Sequence, residues 1–228
     1  MVRARLRSFV LRNSIKECIF TVLRKSLKRV IFAFSRHQRH VWYSLLLPHT
    51  PIPIQLPTGM ELIRAGYEHL EMLRELPTLS PNAAAQRMND GATLWITRKG
   101  ISATFCCWTF QVRIPVLAAQ GGFMDLQSGT VCLEDSVTSS KYRGQGIAPI
   151  TWSDIASILA REGAKRIITK IEERNVASRR AIVKAGYHEV VLMDYRYLTG
   201  WSRTRISLLS GTPSKEKRSF EQMLKLAK

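Results

Sequence analysis

The sequence predicts one mixed α/β domain, a sheet flanked by helices, set between two basic ends. Three observations lead there. Apolar residues make up 45% of the 228 and charged residues 23%, enough to bury one core of ordinary size. From about residue 58 to 198, stretches rich in β-branched and aromatic residues alternate with stretches of three- and four-residue apolar spacing. The net charge of +18 lies mostly outside that region. Residues 1–56 carry eleven Lys and Arg against Glu17 alone, and residues 201–228 carry seven against Glu216 and Glu221, which leaves the middle at +3. A basic core would suggest a nucleic-acid groove. Basic ends around a nearly balanced middle suggest an anionic surface touched from outside, or solubility alone.

Along the chain, the first element is a helix over 14–34. Ser14 and Glu17 have the spacing of a capping box, in which hydroxyl and carboxylate satisfy each other's orphan N–H groups. Phe20, Leu23, Leu27, Val30, Ile31 and Phe34 then recur on one face, with Lys25, Lys28 and Arg29 off it. Such a helix packs on the domain, on a second copy in a homodimer, or on an anionic membrane surface. Residues 47–57 hold four prolines, which fix φ and remove donors, so this stretch reads as a linker and 1–56 as an extension.

The domain itself is expected over 57–200. Strands are predicted at 60–63, 92–97 and 102–114, and helices at 68–76 and 82–88. After a Gly-containing connection at 120–129, a strand at 131–138 leads to a helix over 146–163, carrying Ile150, Trp152, Ile155, Ile158 and Leu159 on its apolar face. A strand at 166–171, a helix at 176–185 and a strand at 187–197 complete it. Residues 201–228 read as a basic tail with a terminal helix from about 212.

Several classes are excluded by composition. The four cysteines, Cys18, Cys106, Cys107 and Cys132, show neither C-x-x-C spacing nor a disulfide framework, so buried thiols in a reducing compartment and no metal centre are expected. No apolar run approaches the roughly 20 residues of a membrane span. No apolar segment of a secretory signal follows the basic start, although an Arg-rich, acid-poor start also matches the composition of a mitochondrial presequence. A cytoplasmic protein, peripheral on a membrane if 14–34 binds one, is the expectation.

The chemistry concentrates in 133–186. In Lys141-Tyr-Arg-Gly-Gln-Gly-Ile-Ala148 a strand gives way to a two-glycine loop and then a helix start. Glycine lets the backbone approach a ligand, and the helix start offers unpaired N–H groups and a positive dipole end, together an anion site suited to a pyrophosphate. It is neither a Walker loop nor a dinucleotide fingerprint. A tight turn without function uses the same residues.

The stretch Leu133-Glu-Asp-Ser-Val-Thr-Ser-Ser-Lys-Tyr-Arg-Gly-Gln-Gly-Ile-Ala148 resembles the GNAT acetyltransferases at their most diagnostic segment, the R-x-x-G-x-G/A loop, with Arg143, Gly146 and Ala148 in place. Asn175-Val-Ala-Ser178, followed by Lys184-Ala-Gly186-Tyr187, resembles their second signature. The resemblance covers about 58–198. It implies a single GNAT-type domain with a central mixed, mostly antiparallel sheet, and acetyl-CoA as cosubstrate for direct acetyl transfer to an amine. A catalytically silent acyl-CoA-binding module is the alternative. It also implies the binding residues: main-chain groups of Arg143, Gly144, Gln145, Gly146, Ile147 and Ala148 for the pyrophosphate, Val137 and Thr138 for the pantetheine, and Asn175 and Ser178 beside the CoA. The Thr138 N–H would polarise the thioester carbonyl. Helix capping accounts equally for Asn175.

An ammonium must lose a proton before attacking a thioester. Glu134 and Asp135 are the candidate bases. Adjacent strand residues point to opposite faces, so only one is expected to face the site, and the L-E-D run resembles GNAT members in which the Glu serves. Glu134 is therefore preferred. Where many members carry a tyrosine acid, this chain has Ile182, and Tyr187 stands at the Gly-aromatic position, where packing is the usual role, which leaves Tyr142, Tyr195, water or no acid. The acceptor, whether small amine, amino sugar or peptide amine, is not legible.

Overall fold

The computed structural model describes residues 35–209, 211, 212 and 214–224. The helix expected over 14–34 lies outside the described residues. Those described fall into two compact units, 39–194 with 204–224, and the smaller 35–38 with 195–203.

Ten strands are described: β1 (Ser35–Leu46), β2 (Met60–Arg64), β3 (Thr93–Lys99), β4 (Ser102–Phe110), β5 (Arg113–Pro115), β6 (Phe123–Asp125), β7 (Thr130–Thr138), β8 (Arg166–Glu172), β9 (His188–Leu198) and β10 (Trp201–Leu208). The main sheet has the order β10-β9-β1-β8-β7-β4-β3-β2, and β5 pairs with β6 separately. Four α-helices are described, α1 (Pro81–Asn89), α2 (Ile147–Arg161), α3 (Val176–Lys184) and α4 (Ser214–Met223), and a 3₁₀ helix spans Tyr67–Glu75. The expected mixed sheet flanked by helices is therefore present. β7 and β8 run parallel, while β1–β8, β2–β3, β3–β4 and β4–β7 are antiparallel.

Each sheet face has its own packing. On one, Tyr43, Leu45, Phe105, Cys107, Val131 and Leu133 pack with Trp152, Ile155 and Leu159 of α2 and Ile182 of α3. On the other, Leu94, Ile96, Cys106 and Trp108 pack with Leu70 and Leu73 of the 3₁₀ helix and Ala84 of α1.

Some elements differ from expectation. The stretch expected as one strand over 102–114 breaks after Phe110 and resumes as β5. β10 falls where a tail was expected. The domain was expected to start at 57, yet β1 lies between β8 and β9, with Val41↔Ile171 and Leu45↔Ile167 among its pairs. All five residues Val41–Leu45 are buried. A strand covered on both faces loses the apolar–polar alternation that marks a half-exposed one, which is why its sequence did not announce it.

Candidate active site

The site starts from a tear in the sheet. β7 pairs with β8 only through Thr130–Cys132 against Arg166–Ile168, and the two strands part beyond that point. A bulge accompanies the parting. Glu134 pairs with Trp108 and Val137 with Cys106, so Asp135 and Ser136 together oppose Cys107 alone. An extra residue bends a strand and sharpens its twist. Asp135 absorbs the bend with φ of 50°. On the helix side, Trp152 Nε1 donates to Ser136 Oγ at 3.0 Å, and the Trp152 ring meets Phe105 edge-on at 6.1 Å, fixing the bulge against α2.

The parting frees main-chain groups of β7. Ser139 N–H bonds to Thr104 O at 2.9 Å. Phe105 and Thr138 are therefore a non-hydrogen-bonded pair, in which N–H groups point away from the partner strand. The Thr138 N–H is directed to the edge that β8 has left. The Thr138 carbonyl accepts from Arg143 Nε at 3.4 Å.

From there the chain turns through Gly144 and Gly146, with φ of 79° and 75°, into α2. Both values lie in the left-handed region that favours glycine. Gly146 is the N-cap and brings no side chain to satisfy the first N–H groups of the helix. A cleft of about 730 Å³ opens here, and its walls come from β7, the loop, α2 and α3. Arg143, Arg180 and Lys184 line it, and no carboxylate does.

The acids lie elsewhere. Glu134 accepts a hydrogen bond from Lys170 Nζ at 2.5 Å and from Cys132 Sγ at 3.6 Å. Burial pushes its carboxyl up, against the pull of Lys170. Burial alone would lower Lys170, but Glu134 holds the ammonium above the usual lysine range. Asp135 is half exposed and pairs with Arg87 at 2.6 Å, and Arg87 lies 5.0 Å over the Trp108 ring. Trp108 is the register partner of Glu134. Both carboxylates thus engage cations on the Trp108 face. The expectation that adjacent residues point oppositely fails here, because the bulge inserts Asp135 outside the alternation.

Residues 70–187, just over half the chain, match the family model described as "Acetyltransferase (GNAT) family". The chain belongs to the GNAT acetyltransferase family. No curated protein matches it. Among solved structures, an acetyltransferase from the GNAT family of Colwellia psychrerythraea is 14% identical with a TM-score of 0.52, over 76% of this chain and 61% of that one. A tandem GNAT protein from the clavulanic acid biosynthesis pathway is 13% identical with a TM-score of 0.52, over 78% of this chain and 56% of that one. A GCN5-related N-acetyltransferase from Sphaerobacter thermophilus is 15% identical with a TM-score of 0.48, over 83% of this chain and 59% of that one. This GNAT chain thus spans little more than half the length of these proteins. At these identities the first two likenesses speak to the fold.

The cleft gathers most of the residues singled out from sequence: Val137, Thr138, Arg143, Gly144, Gly146, Ile147, Ala148, Asn175 and Ser178 all line it. Gln145 does not; it is exposed, and its side chain donates to Lys141 O at 3.4 Å. Asn175 caps α3, its side chain accepting from Ser178 N–H at 3.2 Å, so the capping account holds as geometry while both residues also line the cleft. Glu134 is not among the lining residues; it sits at the split with Lys170.

Of the acid candidates, Tyr142 lines the cleft. The Tyr187 hydroxyl is buried without a partner among the described residues, and burial pushes its ionisation up. Ile182 is buried in the core. Arg180 was missed, and Lys184, quoted only as part of the second signature, was not read as lining a cleft. Their four-residue spacing on one helix face, in phase with Ala177 and Ala181, was the available signal.

Among the described residues no group of three or more His, Cys, Asp or Glu is placed to hold a metal ion, and no helix is long and apolar enough to cross a membrane. Cys106, Cys107 and Cys132 are buried free thiols.

Proposed function

We propose that this chain transfers an acetyl group from acetyl-CoA directly to an amine. The observation that carries the reading is the parting of β7 from β8 beside a cleft walled by an uncapped helix start and three cations. Family membership supports acyl-CoA as the donor in general.

On this reading, the main-chain N–H groups from Arg143 to Ala148 hold the pyrophosphate, with the guanidinium of Arg143 adding charge. Pro149, third in α2, has no N–H, so the donors come from the loop and the first two helical residues. Arg180 and Lys184, with no acid among the lining residues, suit further phosphate charge. Val137 and Thr138 pair with the pantetheine, and Asn175 and Ser178 flank it. The Thr138 N–H, turned away from β4, donates to the thioester oxygen and stabilises the charge that grows there during attack.

Glu134 takes the proton from the incoming ammonium, directly or through water. The free amine then adds to the thioester carbon. The tetrahedral adduct gives its extra nitrogen proton to water and collapses to the amide, and the carbon–sulfur bond breaks to release CoA as thiolate. With Ile182 buried where many members place a tyrosine, Tyr142 or water supplies the proton to sulfur.

The acceptor class is tested with acetyl-CoA and separate panels of polyamines, amino sugars and peptide amines, read by mass spectrometry. The expected result is a product heavier by one acetyl group in one panel, with matching thiol release. Thiol release without any acetylated amine would sink the transfer reading.

A further inference from the structure

Glu134 and Lys170 are the first residues on their face beyond the point where the sheet parts. β7 and β8 last pair at Cys132↔Ile168. Two residues further along each strand, on the same face, stand Glu134 and Lys170, and their ion pair spans the gap at 2.5 Å. Hydrogen bonding between main chains has ended there, so side chains alone bridge the strands. Both side chains are mostly covered, with 12% and 16% of their surface exposed.

The groups around the pair come from several elements. From β1, the Trp42 ring lies 5.5 Å under the Lys170 ammonium. His40, also on β1 and paired with Glu172 of β8, is held below the usual histidine range by burial and by Lys170, against Glu172, and stays neutral. From β7 come Cys132, whose thiol donates to Glu134, and Asp135, which Arg87 of α1 engages. Lys170 is thus the one cation with a hydrogen bond to Glu134 among the described contacts. A buried ion pair often stabilises a fold no more than well-packed apolar residues would, so stability alone is a weak reason for it.

We propose that Lys170 is a positioning residue for Glu134: its ammonium bridges the parted strands and keeps that carboxylate ionised and fixed at the split, ready to accept a proton. The proposal rests on the reading of Glu134 as the base. Without Lys170, a carboxylate in this covered position would hold its proton to higher pH, because burial disfavours the charged form. The pH dependence of turnover would then move to higher pH. Lys170→Arg, which keeps the charge, should restore function in part, whereas a neutral replacement should not.

The test uses the full chain labelled with ¹³C at glutamate carboxyl groups and titrated by NMR. Glu134→Gln identifies the Glu134 resonance by its loss. In Lys170→Met the Glu134 midpoint is expected to rise by about 1–3 pH units relative to wild type, the span typical of losing an adjacent opposite charge, and to return toward wild type in Lys170→Arg. Thermal melts and acetyl-CoA binding monitor folding. If Lys170→Met does not fold, Lys170→Gln, neutral and closer in polarity, carries the same expectation. An unchanged midpoint in a folded neutral variant overturns the proposal, whatever its activity. Full turnover in Glu134→Gln overturns the base reading instead, and the two failures are read from different variants.

Discussion

Gly146→Val separates backbone strain from ligand loss. Gly146 has φ of 75°, and a Cβ built there would meet nothing closer than Ile150 Cδ1 at 3.9 Å, ordinary contact. The protein itself has room for the side chain. The intrinsic cost is therefore the left-handed backbone, about 1–2 kcal/mol for a residue with a Cβ. For a chain of this size that lowers Tm by roughly 2–8 °C. The ligand effect is separate. Acetyl-CoA at a hundred times its Kd stabilises a folded protein by about 2.7 kcal/mol. If main-chain groups at Gly146 approach the pyrophosphate, a valine side chain stands between them and the variant loses this gain. The assay is differential scanning fluorimetry of both proteins, with and without acetyl-CoA. Wild type should gain several degrees on ligand addition, and Gly146→Val should start a few degrees lower and gain nothing. A variant that melts lower yet keeps the full ligand-induced gain would refute the pyrophosphate assignment.

Other expectations are as concrete. Glu134→Gln should keep acetyl-CoA affinity and lose turnover on the order of 100-fold, least at high pH where free amine is abundant, as measured by thiol release. The Arg180→Met/Lys184→Met double variant should weaken acetyl-CoA more than dephospho-acetyl-CoA in titration calorimetry; equal weakening would place these cations elsewhere than on the 3′-phosphate. A chain begun at residue 57 lacks Val41, Trp42, Tyr43 and Leu45, all buried, each worth about 1.5–3 kcal/mol where fully covered. It should fail to fold, as read by circular dichroism. Burial raises the Tyr43 hydroxyl from 10.0 to about 12, against the hydrogen bond from Arg179. The unfolded chain thus loses this proton first, and the contribution present below pH 10 fades as pH rises toward about 12. Denaturant melts across that range should show a falling stability that Tyr43→Phe flattens.

Much of the site was legible because its chemistry is local in sequence. A strand, a two-glycine turn and a helix start occupy consecutive residues up to Ala148, and all but Gln145 of the loop residues named from it reach the cleft. Asn175 and Ser178 followed from a second short segment. What was not legible depends on distant pairing. β1 belongs beside β8 only because the chain returns 120 residues later, and its covered faces erase the alternation that would have marked it. The bulge at Asp135 depends on register against β4, which no local pattern records, so the reading of opposite faces for Glu134 and Asp135 could not anticipate it. Lys170 is an unremarkable lysine in Arg166–Ile171 until the strands are laid side by side. Arg180 and Lys184 share one face of a short helix, but that spacing names no ligand until the cleft stands beside it.

The central claim is that acyl-CoA lies in this cleft with its thioester at the split, and hydrogen–deuterium exchange of the full chain with and without acetyl-CoA tests it most directly. Amides exposed at the β7 edge and at an uncapped helix start exchange quickly when free and slowly when they donate to a ligand. The account predicts slowed exchange in peptides covering residues 136–148 and 175–184, with Thr138 among the protected amides at single-residue resolution. Protection elsewhere with these segments unchanged, or binding that leaves Thr138 exchanging at its free rate, would contradict it.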